Sequence, residues 1–343
     1  MDPAVARILD ANFNRAREAL RVLEEHARFV LNDAFLTERI KQARHELGSC
    51  AAALPLHDLL AARDVRGDVG TSISTPQEAA RGSTSEVAIA AARRATEALR
   101  CLEEYAKIGA SSVASRLERL RYDSYAIEQA LVLHSRFATR IRQARLHVLI
   151  TEALCRRPWL DVAAAAIEGG ADVLQLREKS LPDQELLARA RQLCELAHAR
   201  GAAVIINDRP DIARLAGADG VHVGQDDLDV ADARRIVGST LLVGRSTHDV
   251  AQVRRAIEEN ADYIAVGPMF ESQTKARAAI AGLPLAREAM STDDRPIVAI
   301  GGITTERLPE LLRAGIRCVA VCQAVIASDD PARACRELRS ILS

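Results

Sequence analysis

Three polar side chains at alternate positions, Gln175, Arg177 and Lys179, are the first place in this sequence where chemistry is legible. They end the run Asp172-Val-Leu-Gln-Leu-Arg-Glu-Lys-Ser180, whose apolar residues predict a buried strand passing into a charged loop. Alternation along a strand sends Gln175, Arg177 and Lys179 to one side and Leu176 and Glu178 to the other. A row ending in two cations is costly in a core unless an anion meets it. A phosphorylated ligand is one such anion; two basic side chains fraying into solvent is the other reading.

Two carboxylates follow. Asp208 closes the run Ile205-Ile-Asn-Asp208, and Asp227 closes Gly220-Val-His-Val-Gly-Gln-Asp-Asp227, so both are expected at neighbouring strand ends. Taken singly, Asp208 reads as a helix N-cap and Asp227 as a turn carboxylate. Taken together beside Arg177 and Lys179 they suit Mg²⁺, which takes one or two protein carboxylates and fills its shell with water and phosphate oxygens. A second, metal-free anion site is expected at Gly301-Gly302 and the last strand end, where glycine lets a phosphate approach backbone N–H groups. Two anion sites on one rim imply two phosphorylated substrates being joined. His222 and His248 are candidate proton-transfer groups, with a core or rim role the alternative for His222; Cys318 and Cys322 read as small hydrophobes on an apolar strand.

Those residues need strands to hold them. From Leu146 onward eight short apolar runs, from Leu146–Thr151 to Cys318–Cys322, alternate with helical segments. Such runs predict parallel strands buried on both faces, hence a (β/α)8 TIM barrel over residues 146–343 with catalysis at the C-terminal strand ends. An open doubly wound sheet is the alternative. The fold class is therefore α/β, with an all-α, internally duplicated helical domain before the barrel. In that domain residues 14–28 recur 79 positions later as residues 93–107 with ten of fifteen identical, and Arg44-His45 is echoed by Arg121-Tyr122. Two helix pairs related by a pseudo-twofold are expected over residues 1–135, then a basic connector over 136–145. Charged positions recur with the apolar ones (Arg21 with Arg100, Glu24 with Glu103), either as intrahelical ion pairs or as paired polar sites.

The formal net charge of −1 gives no basis for nucleic-acid binding or a polybasic membrane patch. Seven cysteines without a C-x-x-C pair read as reduced thiols. No signal-like leader and no membrane-length apolar run is present, so a soluble, cytoplasmic protein is expected. Homo-oligomerisation stays open.

The runs Gln-Leu-Arg-Glu-Lys (175–179), Ile-Asn-Asp (206–208), Val-His-Val-Gly-Gln-Asp-Asp (221–227), Gly-Arg-Ser-Thr-His (244–248), Gly-Pro-Met-Phe-x-x-x-Thr-Lys (267–275) and Ile-Gly-Gly-Ile (300–303) together resemble thiamine-phosphate synthase. They stand in that family's order and spacing across essentially all of residues 146–343. The resemblance implies Mg²⁺-dependent joining of 4-amino-2-methyl-5-(diphosphooxymethyl)pyrimidine to 4-methyl-5-(2-phosphoethyl)thiazole, releasing pyrophosphate. It implies that Gln175, Arg177, Lys179, Asn207, Ser246 and Lys275 hold the pyrimidine diphosphate, with Arg177, Lys179, Ser246 and Lys275 acting in catalysis. Asp208 and Asp227 would hold Mg²⁺. Ser272, Gln273, Thr274 and Gly302 would receive the thiazole phosphate, with Cys322-Gln323 standing where the family often has an apolar residue and Ser. Residues 7–133 resemble the helical domain fused to some members and proposed to be a second type of hydroxymethylpyrimidine-phosphate kinase, with ATP as its candidate substrate. A thiazole tautomerase-like isomerase barrel with a non-catalytic helical dimerisation or docking module is the rival reading.

Overall fold

The computed structural model describes residues 1–31, 33–64, 80–271 and 280–343. It divides into two compact units, Met1–Ser135 and Arg136–Ser343.

The first unit is helical: α1 (Pro3–Phe29), α2 (Ala34–Ala52), α3 (Leu56–Ala61), α4 (Thr84–Ala106) and the start of α5 (Ser111–Gln143). Helix α1 begins where Asp2 accepts from the N–H groups of Ala4 and Val5, with Pro3 opening the first turn. Helix α4 begins with a reciprocal cap: Ser83 accepts from Glu86 N–H, and the Glu86 carboxylate accepts from Gly82 N–H at 2.8 Å. These two helices carry the repeated segment and pack on each other, burying Ala16, Leu20, Leu23 and Ala27 with Ala95, Leu99, Leu102 and Ala106. The repeated charges serve both expected uses. Arg21 reaches Glu24 within α1 and Arg100 reaches Glu103 within α4, but each glutamate is also clamped from another helix, Glu24 by Arg44 and Glu103 by Arg121 Nε at 2.7 Å. Burial pushes the Glu103 carboxyl up, yet the hydrogen bonds from Arg121 and Lys107 outweigh it and hold the group below the usual range.

The second unit is a closed barrel of eight parallel strands in sequence order, each hydrogen-bonded to the next and β8 back to β1. The strands are β1 (Leu146–Ile150), β2 (Val173–Leu176), β3 (Ala203–Asn207), β4 (Gly220–Val223), β5 (Leu242–Thr247), β6 (Tyr263–Val266), β7 (Ile297–Ile300) and β8 (Val319–Val321). Around them run α6 (Trp159–Glu168), α7 (Asp183–Ala199), α8 (Pro210–Ala216), α9 (Val230–Val237), α10 (Val250–Glu258), α11 (Gly282–Thr292), α12 (Leu308–Arg313), α13 (Gln323–Ile326) and α14 (Pro331–Leu342). The strand ends fall within a residue or so of the apolar runs. Alternation splits the apolar residues into two cores. Val148, Leu174, Val204, Val221 and Val243 face the helices, while Val173, Ile205, Leu242, Ala265 and Ala320 fill the barrel interior. The connecting stretch 136–145 is helical to Gln143, and Ile141 and Ala144 join the interior core.

A repeated device ties strand starts together. Asp172, just before β2, accepts from Leu146 N–H; Asp219, before β4, accepts from Val204 N–H; Asp262, before β6, accepts from Val243 N–H. No described helix is long and apolar enough to cross a membrane.

Candidate active site

Strand register builds the floor of the site. Asn207 on β3 pairs with His222 on β4, His222 with Gly244 on β5, and Gly244 with Tyr263 on β6. Inward side chains of that level therefore meet. Gln175 Nε2 donates to Asn207 Oδ1 at 3.0 Å. His222 lies with Nε2 2.8 Å from Ser246 Oγ and Nδ1 3.1 Å from the Tyr263 hydroxyl, its ring stacked on the tyrosine at 5.4 Å. Tyr263 can occupy that space because residue 244 is glycine: a Cβ there would fall 2.1 Å from Tyr263 Cζ.

Above the floor stand the charged groups. Lys179 Nζ is 3.2 Å from Asp208 Oδ2. Asp208 has φ 62, a left-handed backbone that Asp tolerates better than most residues, and it does not cap α8, whose N-cap is Arg209. Asp227 lies within hydrogen-bonding reach of Asp208. Burial first, then this neighbouring carboxylate, pushes the Asp208 carboxyl up, against the opposing pull of Lys179. Asp227 also accepts from Gly224 N–H at 2.8 Å, so its turn role and its place beside Asp208 coexist. Arg245, buried on the outer row of β5, donates to the Leu228 carbonyl at 2.8 Å and pins the same loop. Glu178 points away, accepting from Glu152 N–H at 2.6 Å. Arg177 is half-buried with no ion-pair partner among the described residues; its charge favours the Cys322 thiolate, although burial dominates and pushes that thiol up to about 11.

The β7 and β8 ends form the other side of the rim. Gly301 and Gly302 have φ 101 and 65, and a Cβ on Gly302 would meet the Glu271 carbonyl at 2.5 Å. Arg307 donates to the Gly302 carbonyl at 2.6 Å and covers the Phe270 ring. Cys322 is half-buried at the end of β8, and Gln323 opens α13. His248 is exposed, with Nδ1 2.5 Å from the Gly267 carbonyl. Cys318 is buried inside the barrel. Ser272, Gln273, Thr274 and Lys275 lie outside the described residues.

The structure thus brings Gln175 to Asn207, Lys179 to Asp208 and Asp208 to Asp227. Tyr263 and Arg245 were not singled out from the sequence. An inward tyrosine opposite a glycine was the available signal for the first, and a lone cation in an apolar strand for the second. Among the described residues no group of three or more His, Cys, Asp or Glu is arranged to hold a metal ion. The donor set fits a hard cation that takes two carboxylates and leaves its other positions to ligand oxygens, since the penalty that burial and Asp227 place on the Asp208 carboxylate is what such a cation would relieve.

The sequence profile described as Thiamine monophosphate synthase matches residues 146–325, and that of the ThiD2 family matches residues 7–130. The chain is 41% identical over 342 residues to a thiamine-phosphate synthase of Synechocystis, covering 99% of this chain and 97% of the relative. It is 42% identical to one of Thermosynechococcus vestitus, covering 98% and 95%. Among solved structures it resembles the thiamine phosphate pyrophosphorylase of Pyrococcus furiosus, with a TM-score of 0.55 and 31% identity over 60% of this chain and 97% of that one.

Proposed function

The chain belongs to the thiamine-phosphate synthase family, and from that premise we propose how its residues divide the work. It is a transferase of thiamine biosynthesis. In our reading it joins 4-amino-2-methyl-5-(diphosphooxymethyl)pyrimidine to 4-methyl-5-(2-phosphoethyl)thiazole and releases pyrophosphate.

Gln175, Arg177, Lys179, Asn207, Ser246 and Lys275 hold the pyrimidine diphosphate. Asp208 and Asp227 would hold Mg²⁺, which when bound neutralises charge on phosphate oxygens. Arg177 and Lys179 face the negative charge that grows on the departing pyrophosphate, and fixed cations are most effective where charge develops. Departure leaves a pyrimidine-stabilised methylene cation that the thiazole nitrogen captures. That nitrogen has no proton to lose, so no general base is required. Ser272, Gln273, Thr274, Gly302, Cys322 and Gln323 receive the thiazole phosphate and align the ring for capture.

The observation that carries this reading is the adjacency of Lys179, Asp208 and Asp227 above the Gln175–Asn207 hydrogen bond. An isomerisation that uses no diphosphate gives that cluster no task. Supplying both heterocycles with Mg²⁺ should release pyrophosphate one-for-one with thiamine phosphate, and EDTA should stop it. Turnover that persists in EDTA would remove the metal assignment.

For the helical unit, the ThiD2 match supports phosphorylation of the pyrimidine monophosphate by ATP, which makes the diphosphate that the barrel consumes. Full-length protein given the pyrimidine monophosphate, ATP, Mg²⁺ and the thiazole phosphate should then form thiamine phosphate. No product under those conditions, with product from the ready-made diphosphate, would assign the unit a non-catalytic role.

A further inference from the structure

Beneath the rim lie two buried groups to which the proposed reaction gives no part, Tyr263 and His222, and their geometry fixes a direction. Tyr263 is 2% exposed, and its only hydrogen-bond partner among the described residues is His222 Nδ1, at 3.1 Å. Across the same imidazole, Nε2 lies 2.8 Å from Ser246 Oγ. Two proton arrangements fit this row of atoms. In one, the Tyr263 hydroxyl donates to Nδ1 and Nε2–H donates to Ser246 Oγ. In the other, Ser246 donates to Nε2 and Nδ1–H donates to the tyrosine oxygen, which leaves the tyrosine's own proton in the barrel interior without an acceptor. A buried donor left unmet carries its full desolvation cost, so the first arrangement is favoured. Burial also pushes the Tyr263 phenol up, so it remains a donor. Gly244 secures the geometry, since any side chain there would displace the tyrosine ring.

We infer that Tyr263 is a positioning residue: acting through His222 Nε2–H it fills the acceptor side of Ser246, so that the serine proton is left to meet the substrate as a donor. That is the role an oxygen-rich, anionic ligand requires of a hydroxyl. The inference deepens the proposed function and rests on its assignment of Ser246 to the pyrimidine diphosphate.

The test uses the full chain labelled with ¹⁵N-histidine, in two-bond ¹H–¹⁵N correlation spectra, with the His222 signals identified by their loss in His222→Gln. Wild-type His222 should show the Nε2–H tautomer, and Tyr263→Phe should mix the two tautomers. The same variant should raise KM for the pyrimidine diphosphate about tenfold, the worth of one hydrogen bond, with KM for the thiazole phosphate unchanged. His222→Phe should match that loss, and His222→Gln, whose amide N–H can replace Nε2–H, should recover most of it. An Nδ1–H tautomer in the wild type overturns the inference, as does a wild-type diphosphate KM in both Tyr263→Phe and His222→Phe. A wild-type diphosphate KM in Ser246→Ala, with the Nε2–H tautomer in place, would instead remove the Ser246 contact while leaving the tautomer standing.

Discussion

Asp208 is placed where its own charge is unwelcome. It is half-buried beside Asp227, in a left-handed backbone, and only Lys179 opposes the rise in its carboxyl pKa. A carboxyl raised in the fold disfavours the folded protein once pH exceeds its unfolded value, because folding then has to hold a charge the site resists. A neutral isostere removes that penalty, and Asn tolerates the same backbone. Asp208→Asn in metal-free protein should therefore keep or raise the melting temperature at neutral pH, while pyrophosphate release falls by roughly a hundredfold or more. Parallel thermal melts and turnover assays check both arms. A variant that loses stability and activity together would make Asp208 a structural residue.

At the scale of elements, β1 carries a residue that interior packing forces into one protonation state. His147 is fully buried, its ring edge-to-face with that of Tyr263 and its Nε2 without a hydrogen-bond partner among the described residues, and burial lowers its pKa from 6.5 to about 4. Between those values the unfolded chain binds a proton that the folded barrel does not, so stability falls as pH drops through the window. The slope from this one group approaches about 1.4 kcal/mol per pH unit at most. His147→Leu should flatten the pH dependence of the denaturant midpoint between about pH 6.5 and 4 and leave turnover near wild type. An unchanged slope would place the titration elsewhere.

At the scale of the molecule, the two units close separate cores, and their family matches fall on separate stretches of chain, residues 7–130 and 146–325. The proposed chemistry accordingly runs as two steps assigned to separate stretches of chain. Arg177, which has no ion-pair partner among the described residues, gives a clean way to separate them, because removing it breaks no salt bridge of the fold. Arg177→Ala should lower synthase turnover by roughly a hundredfold, keep the wild-type melting temperature, and let pyrimidine diphosphate accumulate when ATP and the monophosphate are supplied. Chromatography of the reaction mixture decides this. Loss of both steps in that variant would mean they depend on one site.

Local pattern carried much of this protein. Short apolar runs alternating with helical segments marked the eight strands, period-two alternation put Gln175 on the inward row, and the 79-residue repeat placed the paired helices α1 and α4. Those features need only neighbours in the chain, and the side-chain directions of helix and strand follow from backbone geometry alone. Which rows meet across the barrel was decided by closure. Asp208 reaches Asp227, and His222 lies between Ser246 and Tyr263, because the registers of β3 through β6 set their levels; Tyr263 stands 41 positions from His222. Strand alternation is a local property, but register is a long-range one, fixed when all eight strands share a single closed ring of hydrogen bonds and one filled interior.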